Sequence, residues 1–530
     1  MAQQTGSKYP SFKITFQGTK NVKTSVQDKM QNIKGKISQM TGSFVSNTDV
    51  INAVFDFWLS RNSEEITCDN VTGSYQDVSS GETMQDIFLT ASSSLQSIVD
   101  RTMHHSRYCS NSCKITKLVR RGHVVIASVK CSNQETPHTF SWSSSPYLPN
   151  KEHLVNHRVC HAMVCSGMLP VHYTRFAHEA GIGCISRQKR KKFHQKHKDS
   201  VQNAHDQSIE EALQEEIGSY EELDGIEIMS DARHGWRKNA KDTSVVAIGD
   251  KTHKVLKCEH VTKADDIVSQ RHKMKGTKEI YSYFSSKDVS IKVHTHDRNM
   301  AVNKFVKDSD FTRNQNDCWH AVKSMKKSLK AISCGPKYKE GTTWSRQLDD
   351  KAEPVATHVH WAMKNSNDNP EELRKSLGNI VKHYKNEHEN CSESSRCKMD
   401  KNYEPSRTVL TNPKAEKMLQ TAIQNSVIYK SPDDYILSRD SSYVESFNNV
   451  MNIFQDKRIC FSDMQYKLRS NLAVLHWNEN VDREFTSIWN PKDDTAPRRK
   501  KGKKNYKAVG HKYRKSIWDI YMDSMFRPRN

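Results

Sequence analysis

Three acidic residues are placed so that they can hold a hard divalent cation. Asp231 closes a short apolar run in IEIMSDARHGW, Asp297 closes VSIKVHTHDR, and Glu445 sits inside SSYVESFNNVMNIF. The first two segments alternate apolar and polar residues as strands do, and the third has helical character. Two strand-end aspartates and a distant helix-borne glutamate suit Mg²⁺ or Mn²⁺, which take a few carboxylates and leave positions for water or phosphate oxygens. The chemistry of such a site is metal-assisted phosphoryl transfer. Singly, a strand-end Asp is a turn or cap residue and a helix Glu is solvated; their order and neighbours favour the metal reading. Glu387, Glu389, Glu416 and Glu479 compete for the third position. Glu445 is preferred because Val444, Phe447 and Val450 give its helix a core-facing side.

A second set of residues carries softer donors. Cys109 and Cys113 in YCSNSCK, followed by Cys131 and His138, have the layout of a knuckle, a hairpin and a second ligand pair, which predicts a zinc-ribbon-like module. His383, His388, Cys391 and Cys397 in HYKNEHENCSESSRC form a second candidate Zn²⁺ set. The competing readings are buried free cysteines for the first set and unliganded surface residues for the second. His153, His157, Cys160, His161 and Cys165 also cluster, but HLVNHRVCHAMVCSGMLP has helical periodicity, so its cysteines are assigned to a core. The chain has 13 cysteines, and their grouping with histidines favours metal binding over a disulfide framework.

Charge points to the partner. Lys and Arg number 82 against 61 Asp and Glu, a net charge of +21, and a surplus of this size favours a polyanion over a merely soluble basic protein. The excess is concentrated in RQKRKKFHQKHK, with Arg187, Lys189, Arg190, Lys191 and Lys192, and in PRRKKGKKNYK, with Arg498, Arg499, Lys500 and Lys501. Such tracts repel themselves unless phosphates neutralise them, so they are candidate DNA contacts or nuclear-import signals. No apolar run approaches membrane-spanning length and MAQQTGSKYP has no signal-peptide core, which places the chain in the cytosol or nucleus.

The elements that must position these residues can be read in order. Residues 1–63 predict a strand-helix-helix module, for DNA binding or dimerisation, and 64–104 a linker and helix. The zinc-ribbon-like module takes 105–150 and a helical DNA-binding region with the first basic tract takes 151–222. From 223 to 335 the pattern is three strands in a meander, a crossover helix, a fourth strand and further α/β units. This is the RNase H-like order, in which the first and fourth strands are neighbours and Asp231 and Asp297 share metal ions. Residues 336–430 read as an all-α insertion, 431–490 as the last part of the core and 491–530 as a basic tail without structure of its own. The fold class is thus α/β, an RNase H-like core interrupted by an all-α insertion domain.

Several blocks carry a resemblance. KCSNQETPHTFSWSSSP, VNHRVCHAMVCSGMLP, SDARHGWRKNA, THDRN, NDCWHAVKSMKKSL and YVESFNNVMNIFQDKRICFS with LAVLHWNENVDR follow one another in the order found in Kolobok-like eukaryotic cut-and-paste DNA transposases. These belong to the RNase H-fold DDE enzymes, and the similar blocks cover about Cys109 to Arg483. The resemblance implies that Asp231, Asp297 and Glu445 are the DDE triad, working through Mg²⁺ or Mn²⁺, and that Asp317 and His320 in D-C-W-H stand near the active site. It further implies double-stranded DNA partners, namely terminal inverted repeats and target DNA, a homodimer or higher homo-oligomer, and a nuclear location. Two features depart from the pattern: SDARHG replaces an aspartate-glycine-arginine opening, and the first hundred residues lack the spacing of a THAP zinc domain. The alternatives are a domesticated DNA-binding protein without catalysis and an RNase H-fold DNA endonuclease.

Overall fold

The computed structural model describes residues 87–222, 224–235, 239–489 and 502–526. The strand-helix-helix module of 1–63 and the basic residues Arg498, Arg499, Lys500 and Lys501 lie outside the described residues.

At the centre is a mixed five-stranded sheet made of β4 (Ile226–His234), β5 (Asp242–Gly249), β6 (Val255–Thr262), β7 (Ile291–His296) and β8 (Arg313–Asn316). Its order is β6-β5-β4-β7-β8. β4, β5 and β6 form an antiparallel meander, whereas β4 pairs with β7 and β7 with β8 in parallel. The neighbouring first and fourth strands expected from the sequence are therefore present.

Every residue of β5, DTSVVAIG, is buried, as required of a central strand covered on both faces. Its side chains divide by parity. Val245 and Ala247 join Ile226, Ile228, Leu256, Ile280 and Phe284 under helix α5 (His272–Ser285). Val246 and Ile248 join Met229 and Val255 beneath α4 (Arg187–Gly218), α11 (Ser442–Phe454) and α12 (Asp463–Asn480). Helix α5 can lie this close only because residue 276 is glycine: a Cβ there would come within 2.4 Å of Val245 Cγ2.

Ahead of this sheet, α1 (Ser92–Ser106) packs on an antiparallel sheet of β1 (Cys113–Arg121), β2 (Val124–Cys131) and β3 (Thr139–Ser143). Its core is small, with Ala127, Val129 and Trp142 buried. Helices α2 (Leu154–Cys165) and α3 (Pro170–Glu179) then lead into α4. The basic tract is not a separate segment. It forms the first turns of α4, a 32-residue helix that starts on the Ser186 side-chain cap.

Between β7 and α11 the chain forms α6 (Met300–Lys307), α7 (Cys318–Ser333), α8 (Ala352–Lys364), α9 (Pro370–Tyr384) and α10 (Pro413–Gln424). From α7 to α10 this stretch is helical, and the core its helices share begins earlier than residue 336. Val322, Met325 and Leu329 of α7 share one core with Val355, Val359, Leu377, Ile380 and Leu419.

The reading of 491–530 as a tail without structure is corrected for its described residues, 502–526. Phe485–Trp489 and Lys503–Tyr506 pair as an antiparallel hairpin, and Lys512–Phe526 forms helix α13. Tyr513, Ile517 and Tyr521 of α13 recur at helical spacing and are buried in the main core. The cationic composition of this region had obscured that stripe. No helix among the described residues is long and apolar enough to cross a membrane.

Candidate functional site

The acidic residues meet where β4 and β7 run side by side. Ser230 of β4 is in register with His296 of β7, so Asp231 and Asp297 are the next residues on adjacent parallel strands. Their side chains are 27% and 49% exposed, and that of Glu445 is 52% exposed, so all three carboxylates are open to a ligand.

Lys273, near the start of α5, fills the space between the aspartates. Its Nζ donates to Asp231 Oδ1 at 3.0 Å and to Asp297 Oδ1, and its side chain is only 6% exposed. Burial lowers its pKa, against which the Asp231 carboxylate favours the charged form. A buried cation thus bridges both carboxylates. Nothing in the sequence set Lys273 apart from the other lysines; Gly276, one turn later, was the trace of the close approach that puts it there.

Helix α11 brings Glu445 to the same place through two contacts. Asn448, one turn beyond Glu445, places Nδ2 3.5 Å from Asp231 Oδ2, and its Oδ1 is buried without a donor. His320 lies between Asp317 and Glu445, with Nδ1 3.3 Å from Asp317 Oδ2 and Nε2 3.5 Å from Glu445 Oε1.

Asp317 is the anchor of this arrangement. Its backbone N–H donates to the His296 carbonyl at 2.9 Å, which ties it to the end of β7. Its Oδ1 accepts from His320 N–H at 2.8 Å, capping α7, and its Oδ2 accepts from Ser441 N–H at 3.0 Å and Ser441 Oγ at 2.5 Å, just ahead of α11. Burial pushes the Asp317 pKa up, but the hydrogen bonds from Ser441 and His320 override it and hold the carboxyl below its ordinary value.

Arg233 fixes α11 from the other end. This buried guanidinium donates to Asn452 Oδ1 and to the Gln455 carbonyl, both at 2.7 Å. Asp231, Asp297, Asp317, His320 and Glu445 therefore share one neighbourhood, as the sequence suggested. Of the rival glutamates, Glu479 is occupied by capping α13, accepting from Lys512 and Tyr513 N–H at 2.7 and 2.8 Å.

The cysteine-histidine sets also converge. His383, His388, Cys391 and Cys397 come together as expected, at the end of α9 and in the loop after it, close enough to hold one metal ion. Cys391 Sγ is 3.6 Å from His383 Nδ1 and 3.7 Å from His388 Nδ1, and His388 Nε2 is fixed by Asn386 Oδ1 at 2.9 Å. Burial pushes the Cys391 thiol up to about 11.

In the first set the grouping differs by one residue from the one expected. His105, Cys109, Cys131 and His138 lie together, with the two sulfurs 3.6 Å apart. Cys113 stands outside that group of four, although its Sγ is 3.5 Å from His105 Nδ1. The last turn of α1 supplies His105, and one further turn of chain supplies Cys109. The spacing H-x3-C in HHSRYC was the available signal, passed over in favour of C-x3-C.

Within the basic tract, Arg187, Lys189, Lys191 and Lys192 are exposed. Arg190 is engaged within the fold, donating to the Ile185 carbonyl at 2.6 Å and lying over the Tyr173 ring. Compared with protein-family models and with curated protein sequences, the chain matches none.

Proposed function

We propose that this protein is a DDE transposase resembling the Kolobok-like kind, which binds transposon ends and cuts and joins DNA with Mg²⁺ or Mn²⁺. The observation that carries the reading is the convergence of Asp231 and Asp297 on adjacent parallel strands with Glu445 linked to them through Asn448 and His320. The strand order, three antiparallel and two parallel, supports an RNase H-like core.

The residues suit a hard cation. Three open carboxylates face one another's neighbourhood, Asn448 Oδ1 is a buried oxygen without a donor, and the space between the aspartates already takes a positive charge from Lys273. Asp231, Asp297 and Glu445 would hold the ions. When bound, the ions supply activation of a water or 3′ hydroxyl and stabilisation of the leaving oxygen at a phosphodiester. His320, oriented by Asp317, holds Glu445 in place and presents an imidazole beside the cut. Lys189, Lys191 and Lys192 on α4 offer exposed charge to DNA phosphates. Zn²⁺ in the two four-residue groups would be structural. Two DNA ends in one complex require an oligomer, and the substrate places the protein in the nucleus.

One observation favours a second reading, a DNA-binding protein without catalysis: Lys273 neutralises both aspartates. The test is an assay with Mn²⁺ and DNA bearing the sequences that flank the coding region. Joined product supports the transposase, cleavage without joining supports an endonuclease, and binding alone supports the silent factor. Asp297→Asn should reduce cleavage by roughly three orders of magnitude while leaving DNA binding intact; retained cleavage would overturn the assignment.

A further inference from the structure

Three metal-ligating side chains meet in the main core and form a group separate from the two four-residue sets. His161 and Cys165 lie one turn apart on α2, and His197 comes from α4; they are 4%, 1% and 0% exposed. His161 Nδ1 is 2.9 Å from His197 Nε2 and 3.7 Å from Cys165 Sγ, and the three ligand atoms lie within 4.8 Å of one another. The Trp518 ring packs on His161, and the rings of Phe193 and Tyr521 on His197.

As neutral groups these three satisfy one another poorly. Two facing imidazole nitrogens share a single hydrogen, and the Cys165 thiol has that same Nδ1 as a distant partner. A cation between them would use all three lone pairs at once.

We propose that His161, Cys165 and His197 form a third cysteine-histidine metal site, holding one Zn²⁺ or Cu⁺ ion. Two imidazoles and a thiolate select such thiophilic d¹⁰ cations and reject Mg²⁺ and Mn²⁺, so the site is chemically separate from the acidic centre. With three protein donors, Cu⁺ is three-coordinate and Zn²⁺ carries one added water. The ion joins α2 to the first half of α4, whose exposed lysines lie one to two turns earlier, beneath α13.

The test is metal analysis of the full chain by plasma mass spectrometry, with Cys131→Ser and Cys391→Ser disabling the other two groups. One equivalent of zinc or copper per chain is expected, lost on adding Cys165→Ser, and which element is found distinguishes the two ions. A metal-free double variant, or one that keeps its full equivalent after Cys165→Ser, overturns the proposal. Should the double variant not fold, Cys165→Ser in the otherwise native chain reads the same quantity. Total metal must then fall by one equivalent while thermal unfolding stays cooperative, and an unchanged total overturns the site.

Discussion

Asp231 and Glu445 lie far apart in the chain and are joined through Asn448 of the glutamate's own helix, Arg233 of the aspartate's own strand, and Lys273, His320 and Asp317 from other elements. His105, Cys109, Cys131 and His138, by contrast, come from one helix end and one small sheet. On the reading proposed above, the acidic centre depends on the main core being assembled first, whereas the small sheet, which buries only Ala127, Val129 and Trp142 in its core cluster, would depend on a metal held by its cysteine-histidine group. Damage should therefore travel in opposite directions, from fold to site in the first case and from site to fold in the second.

The largest effect is expected where the core is smallest. Cys131→Ser removes one of four donors from a site whose metal is worth on the order of 10 kcal/mol in small zinc domains. Proteolysis should then cut within β1 to β3 under conditions that leave α4 to α12 protected. Equal protection of both regions would break the contrast. Arg233→Ala should cost about 3 kcal/mol, because it leaves Asn452 Oδ1 and the Gln455 carbonyl without their donor under α11. Denaturant unfolding reads that loss, and cleavage should fall with it because Glu445 rides on the same helix.

The smallest of these effects concerns pH. Asp317 is held below its ordinary pKa, so its contribution to stability is present above the unfolded carboxylate range and is lost as pH falls through the depressed folded value. Ser441→Ala removes the Oγ donor and should lower stability at neutral pH by about 1.5 kcal/mol while making the acid limb shallower. A parallel shift of the whole stability-pH curve would show that Ser441 acts through packing instead.

How much of this was legible follows from what kind of signal each part leaves. The strands that carry Asp231 and Asp297 announce themselves by alternation, and Glu445 by the apolar face of its helix. Asp297 does follow the last residue of β7, but Asp231, expected to close its strand, lies within β4, which stays paired with β5 as far as His234. The set His383, His388, Cys391 and Cys397 is compact in sequence and was read whole. Lys273, Asn448 and Arg233 were not visible, because a lysine, an asparagine or an arginine in a basic chain carries no positional mark until the fold chooses its neighbours. Helix α13 was missed for a different reason: Tyr513, Ile517 and Tyr521 had the right spacing, but the charge around them argued for a tail. Cys165 is buried as expected of a core cysteine, while its grouping with His161 and with His197 of another helix could only be found in three dimensions.

The central claim is that Asp231, Asp297 and Glu445 form one cation site. Titration of the full chain with Mn²⁺, followed by electron paramagnetic resonance, tests it without any DNA, since the cysteine-histidine groups are poor ligands for this ion. The account predicts that Asp231→Asn, Asp297→Asn and Glu445→Gln each weaken the same binding event by about tenfold or more, with circular dichroism unchanged. Mn²⁺ binding at wild-type strength in Asp231→Asn would contradict it.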